Sequence, residues 1–195
     1  MLQGMRAIAG PGIMADSLAG QNPAAVRWQW SAFEALEPHS LTALLRLRAA
    51  VFVVEQQCIY QDVDGLDERA WHLLGWQDAP TPNAPAVLAA YLRVVFPGDK
   101  YAEPSIGRVV VSPDCRGQQL GRALMQQGIV HTLQTYPGAA IRISAQAHLG
   151  DFYGSLGFAG CSAQYLEDGI PHIEMLHAAP TLDGSAGLNA SPAAD

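Results

Sequence analysis

Val109-Val110-Val111-Ser112-Pro113-Asp114-Cys115-Arg116-Gly117-Gln118-Gln119-Leu120-Gly121-Arg122 reads as a buried strand, a turn punctuated by glycine, and the opening of a helix. Such a junction aims unpaired backbone N–H groups and the positive end of the helix dipole at one point, which suits an anion. Gly117 and Gly121 carry no side chain, so a pyrophosphate could approach the main chain there, and Arg116 or Arg122 could add charge. A plain strand-to-helix turn explains the same residues equally well. The stretch is not a phosphate loop ending in G-K-[ST], nor does it contain G-x-G-x-x-G.

Working outward, Leu120, Leu124, Met125, Ile129 and Leu133 occupy a broad helical arc from Gln118 to about Thr135, and Pro137–Gly138 ends it. Upstream, Ile106–Ser112 and Val87–Phe96 are runs rich in β-branched residues, separated by the loop Pro97–Ser105. Continuous apolar runs of this kind predict strands covered on both faces. Trp71–Trp76 is a further strand, followed by the proline-rich turn Asp78–Pro85, while Glu55–Arg69 reads as loop or short helix. Val26–Phe33 has Trp28 and Trp30 at strand spacing, and Pro38–Ser40 breaks the chain before a helix that begins near Leu41. Leu41, Leu44, Leu45, Val51 and Phe52 make that helix amphipathic to about Val54, and Arg48 lies on the same apolar stripe. Downstream come the strand Ala140–Ala145, a short helix Leu149–Leu156 closed by Gly157, and a hairpin-like pair formed by Phe158–Leu166 and His172–Met175 across the turn Glu167–Pro171. The predicted order is β-α-β-β-β-α-β-α-β-β.

Of 195 residues, 49% are apolar, which suits one core. Eleven basic against 18 acidic residues give −7, the wrong sign for nonspecific nucleic-acid binding. No apolar run approaches the roughly 20 residues of a membrane span. Cys58, Cys115 and Cys161 stand alone, which encodes neither a disulfide framework nor a zinc knuckle and fits a reducing cytoplasm. Residues 1–25 and 178–195 are rich in Ala, Gly, Pro and Ser and read as disordered extensions around a domain at 26–177. Asp62, Asp64 and Asp67 with Gly65 lack the spaced Glu of a calcium loop, so no metal is expected.

The quoted stretch, together with Phe152-Tyr153-Gly154-Ser155-Leu156-Gly157-Phe158, resembles the GNAT superfamily of acetyl-CoA-dependent N-acetyltransferases. The first matches V-x-P-x-x-[QR]-x-x-G-x-[GA] with Gln119 in place of the middle glycine, and the second matches F-Y-x-x-x-G-F. Similarity to ElaA-like acetyltransferases extends over roughly Trp28 to Met175, through Arg48, Val51–Gln56, Tyr60–Gly65, Ala145–His148 and Glu167–His172. The fold implied is α/β (α+β): one GNAT-type domain with a mixed, mostly antiparallel sheet splayed between the fourth and fifth strands and helices on both faces.

By that resemblance, acetyl-CoA is the cosubstrate. Main-chain groups of Val109, Val110 and Val111 would bond pantetheine, aided by Gln146, and Arg116, Gly117, Gln118, Gln119, Leu120, Gly121 and Arg122 would surround the pyrophosphate. Tyr153 would protonate the departing thiolate of a direct attack by a primary amine. The base stays open among Glu55, Asp64, His148, His172 and a water chain, with Glu55 set beside Tyr153 as the catalytic pair. His72 and His172 could equally satisfy backbone groups, and Cys115 is incidental. Glu55, Asp62, Asp64, Asp67 and Glu68, with Glu167, Asp168 and Glu174, would give the acceptor cleft a negative rim suited to a cationic amine. The partners expected are that amine and a second copy of the chain as a homodimer, without nucleic acid or membrane. The alternative is a catalytically weak domain serving as an acetyl-CoA sensor or interaction module.

Overall fold

The computed structural model describes residues 25–78 and 84–180. The expected extension through residue 24, most of the turn at 78–85, and the tail from residue 181 lie outside the described residues. Among those described, no helix is long and apolar enough to cross a membrane.

Among the described residues eight strands form one sheet: β1 (Val26–Ala32), β2 (Ala70–Gln77), β3 (Val87–Val95), β4 (Ser105–Val111), β5 (Ile141–Gln146), β6 (Phe158–Gly160), β7 (Tyr165–Glu167) and β8 (Ile170–His177). The order is β1-β2-β3-β4-β5-β8-β6, and β7 also pairs with β8. Every pairing is antiparallel except β4 with β5. That parallel pair registers only at Ser105↔Arg142, reinforced by Arg142 N donating to Pro104 O at 3.0 Å. Beyond this rung the strands part, so the sheet is mixed, mostly antiparallel and splayed between its fourth and fifth strands.

Helices α1 (Pro38–Arg48), α2 (Leu120–Thr135) and α3 (Gly150–Gly154) cover the two faces. Successive strand residues point to opposite sides, so Leu73, Leu92 and Val94 pack with Leu124, Met125 and Ile129 of α2. Leu74, Tyr91 and Val110 pack with Ala43, Leu44 and Leu47 of α1 on the other side. Gly128 permits α2 to lie close on β3, since a Cβ there would fall 2.6 Å from Leu92 Cδ2.

Three local readings change. Pro38 does not interrupt the chain before α1 but occupies its first turn, where a missing N–H costs nothing and φ is already suitable. The helical stretch after Arg48 continues to Glu55 as a π-helix, Ala49–Glu55. The single strand expected at Phe158–Leu166 is two, β6 and β7. Between them Cys161 N donates to Glu174 O at 2.8 Å, and Ser162 Oγ accepts from Glu174 N at 2.9 Å.

Arg142 binds across the closed end of the split. Its guanidinium donates to both oxygens of Glu103 at 2.9 Å and to Glu174 Oε2 at 2.6 Å, joining the loop before β4 to β8.

Candidate active site

The loop after β4 begins with Ser112 N donating to Ala89 O at 2.8 Å and one turn of 3₁₀ helix, Pro113–Cys115. Gly117 has φ +79° and Gln119 φ +56°, so the chain passes twice through the left-handed region before α2 starts. Gln119 caps α2 without a side-chain hydrogen bond. Among the described residues, no backbone carbonyl accepts from the amides of Gly117 through Gly121. Arg122 and Ala123 are the first to bond back, to Gln119 O at 3.0 and 3.2 Å.

These donors border a cavity of about 400 Å³ lined by Val111, Arg116, Gly117, Gln119, Leu120, Gly121, Arg122 and Phe152. Seven of the sequence-predicted cofactor residues therefore meet here. Gln118 belongs to the same loop without lining the cavity, and the Val110 side chain is buried against α1, which leaves only its main chain for a ligand. Arg122 lies over the Phe152 ring at 5.7 Å and donates to Ser155 Oγ at 2.8 Å. Free amides, a helix N-terminus and a glycine with open space around it fit a diphosphate.

A second cavity, about 480 Å³, occupies the split itself. Val109 and Tyr153 line it, while Val111 and Phe152 line the first, so the two cavities adjoin along β4 and α3. Along β4, Arg93↔Gly107 and Tyr91↔Val110 leave three β4 steps against two on β3, a bulge at which Arg108 has φ +51°. Tyr153 is buried against Phe152 and Phe158, and burial pushes its phenol up to about 12. Its hydroxyl has no hydrogen-bond partner among the described residues. Gln146 lines the same space.

Of the acids expected to form a negative rim, Asp64, Glu167 and Asp168 line the split, while Asp62 and Asp67 are buried against arginines. Arg48, wholly buried, donates to Asp62 Oδ2 at 2.9 Å, Asp62 O at 2.7 Å and Asp67 Oδ1 at 2.7 Å. Arg93 forks onto Asp64 with two 2.7 Å bonds and reaches Asp67 Oδ1 at 2.9 Å. Arg108 Nε lies 2.7 Å from Asp62 Oδ1, and its Nη2 lies 3.1 Å from Asp64 Oδ2. Three carboxylates are thus matched by three guanidiniums. Burial raises the pKa of Asp64 and Asp67, but hydrogen bonds and charge from Arg93 and Arg48 outweigh it and hold both below the usual range. A solvated rim would leave these charges to water; instead Arg48 of α1, Arg93 of β3 and Arg108 of β4 pair with them.

Glu55 receives both Arg116 terminal nitrogens at 2.8 and 2.9 Å, and this bond to Arg116 holds its carboxyl below the ordinary range. It lines neither cavity, and His148 is exposed and also lines neither. Asp64 and His172 line the split. His72 is buried between Asp67 O at 3.0 Å and the Tyr91 hydroxyl at 2.8 Å. Cys115 donates to Gln77 Oε1 at 3.3 Å in the core. The sequence reading missed Arg93, Arg108, Lys100 and Ser144, all of which line the split. Arg93 left a signal, a charge embedded in the apolar run Val87–Val95.

A family model described as an acetyltransferase (GNAT) domain matches residues 98–178. Over 152 residues the chain is 41% identical to protein ElaA of Escherichia coli, a match covering 77% of this chain and 95% of that one. The chain belongs to the GNAT acetyltransferase family. A UPF0039 protein of Synechocystis sp. is 41% identical over 155 residues, covering 80% of this chain and 97% of that protein. Among solved structures, an acyl-CoA N-acyltransferase from Pseudomonas aeruginosa superposes with a TM-score of 0.73 at 42% identity, covering 79% of this chain and 100% of the other. ElaA of E. coli gives 0.71 at 40% identity, covering 78% and 99%. The position where the GNAT pattern has its middle glycine is Gln119, and its left-handed φ shows why glycine suits it.

Proposed function

We propose that this GNAT chain is an acetyl-CoA-dependent N-acetyltransferase that acylates a primary amine of a small molecule or peptide by direct attack. One juxtaposition carries the reading: a loop of unbonded amides opens onto a split sheet lined by a tyrosine, Tyr153, whose hydroxyl has no partner among the described residues. Acetyl-CoA bound there supplies an acyl carbon activated as a thioester. The Gly117–Gly121 amides and the N-terminus of α2 hold the diphosphate, with Arg122 adding charge. Arg116 joins them by giving up Glu55, an exposed pair worth little. The bulged stretch of β4 around Val109 offers main-chain groups to the pantetheine amides, with Gln146 facing from β5.

Tyr153 keeps its proton through the physiological range. Its pKa of about 12 stands above the roughly 8.5 of a thiol, so transfer to sulfur is uphill by itself even after C–S cleavage. Its hydroxyl therefore donates a hydrogen bond to sulfur that strengthens as negative charge develops, and the proton passes only as the acylated nitrogen returns one to the phenol. The three free cysteines support a reducing, cytoplasmic setting.

Coenzyme A should raise the melting temperature, and acetyl-CoA with an amine panel should release free thiol. Stabilisation without thiol release from any amine would overturn the enzyme in favour of a cofactor-binding module.

A further inference from the structure

We propose that His172 is the general base that takes a proton from the acceptor ammonium, through an Nε2 lone pair exposed by the hydrogen bond at its other nitrogen. This deepens the acyl-transfer reading and rests on it. His172 Nδ1 lies 2.8 Å from Ile170 O. A carbonyl only accepts, so Nδ1 carries the proton and, in the neutral ring, Nε2 carries the lone pair. Among the described residues Nε2 has no partner. The residue pairs with Gln146 of β5 on one side and Tyr165 of β7 on the other, so its backbone is held by two strands. The Tyr165 ring lies 6.2 Å away at 31°, restricting rotation of the imidazole. His172 lines the split together with Tyr153. An orienting carbonyl, a ring held by that bond, and a second nitrogen without a partner on a residue that lines the reaction space are what a base requires.

The other candidates are spent. Glu55 is held by Arg116 outside the split, Asp64 by Arg93 and Arg108. Glu167 lies in the split but accepts the Ser144 hydroxyl at 2.7 Å. Although burial raises its pKa, that bond and nearby cations keep it low, which makes it a poor base. Its fixed negative charge lies beside His172 in the split.

Other ionisable groups share the cleft. Asp168 stands in the turn beside Glu167, and Tyr153 reaches in from α3. Across the split are Arg93, Arg108 and Lys100, which oppose the imidazolium, and Asp64, Tyr60 and Cys58. Arg93 and Arg108 are already balanced by Asp64 and its neighbours, so Glu167 and Asp168 against Lys100 leave the nearer field negative.

The step balances as follows. The acceptor ammonium gives one proton to Nε2, and the freed lone pair forms the N–C bond to the acyl carbon as the C–S bond breaks. Sulfur keeps that bonding pair and takes the Tyr153 proton. The second surplus proton on nitrogen refills Tyr153, and His172 releases its proton to water.

The test uses the full chain, acetyl-CoA and an amine accepted by the wild type. His172→Gln and His172→Ala should each lower kcat/KM for the amine by roughly 10²-fold or more and abolish the acid limb of its pH profile. Coenzyme A affinity by calorimetry should stay unchanged, and added imidazole should restore rate to His172→Ala. Heteronuclear NMR of ring-labelled histidine should show His172 protonated at Nδ1 when neutral. An active wild type whose variants keep their rate and acid limb overturns the role alone, as does the opposite tautomer. A wild type inert toward every amine overturns the acyl-transfer reading and this role with it.

Discussion

Replacing Arg48 by Met removes a cation that is 0% exposed and lies 5.9 Å from the Tyr91 ring centroid. Methionine fills much of the volume but donates none of the three bonds to Asp62 and Asp67. Asp62 and Asp67, whose side chains are buried, would then keep only Arg93 and Arg108, where water screens them poorly. Breaking a buried ion pair from one side costs about 3–5 kcal/mol, a large part of the roughly 5–15 kcal/mol that holds a domain folded. At this size each kcal/mol lowers Tm by roughly 2–4 °C, so a fall of about 6–20 °C is expected. The exposed pair Arg116–Glu55 is the control, because its loss in Arg116→Met should leave stability nearly unchanged. Urea unfolding at pH 7 reads both variants. Adding Asp67→Asn to Arg48→Met should recover part of the loss, since it removes a buried carboxylate that has lost one of its two cations. An Arg48→Met protein within about 1 kcal/mol of the parent would refute the claim that this network is a buried, mutually dependent unit.

Acid should unfold the chain through the same carboxylates. Asp64 and Asp67 ordinarily titrate near 3.8 and are depressed in the fold, so their stabilisation is complete above that value. It is lost progressively as pH falls below it toward their folded values; a flat unfolding free energy between pH 5 and pH 2 would contradict this. Tyr153→Phe should slow thiol release by roughly 10²-fold or more while leaving coenzyme A affinity, measured by calorimetry, intact. Gly128→Ala gains about 1 kcal/mol of helix propensity but drives a Cβ against fully buried Leu92. Overpacking of about 1–3 kcal/mol should win, so thermal melting should show net destabilisation.

The strands and α2 were legible because their signals are local: unbroken β-branched runs, a helical arc and a proline stop. The turn of unbonded amides was legible for the same reason, since all of them lie within Gly117–Gly121. What failed was what depends on distant partners. Asp62, Asp64 and Asp67 look like a hydrated acidic cluster when read together. Their arginines come from positions 48, 93 and 108, and only the sheet brings them near. Arg48 on an apolar stripe and Arg93 within an apolar strand were the traces of that pairing. Pro38 was misread because proline both breaks helices and begins them. The choice among bases could not be read either, because it turns on a hydrogen bond from His172 to Ile170 that residue identity does not reveal.

The gap between β4 and β5 interrupts the backbone ladder but not the apolar interior. Ile106 on one side and Ile143, Ala145 and Tyr153 on the other belong to a single cluster beneath α2. The slot thus has a solid floor while its walls carry unsatisfied main-chain groups. Cohesion and vacancy come from different kinds of contact, so the lineage could reshape what enters the slot without loosening what supports it.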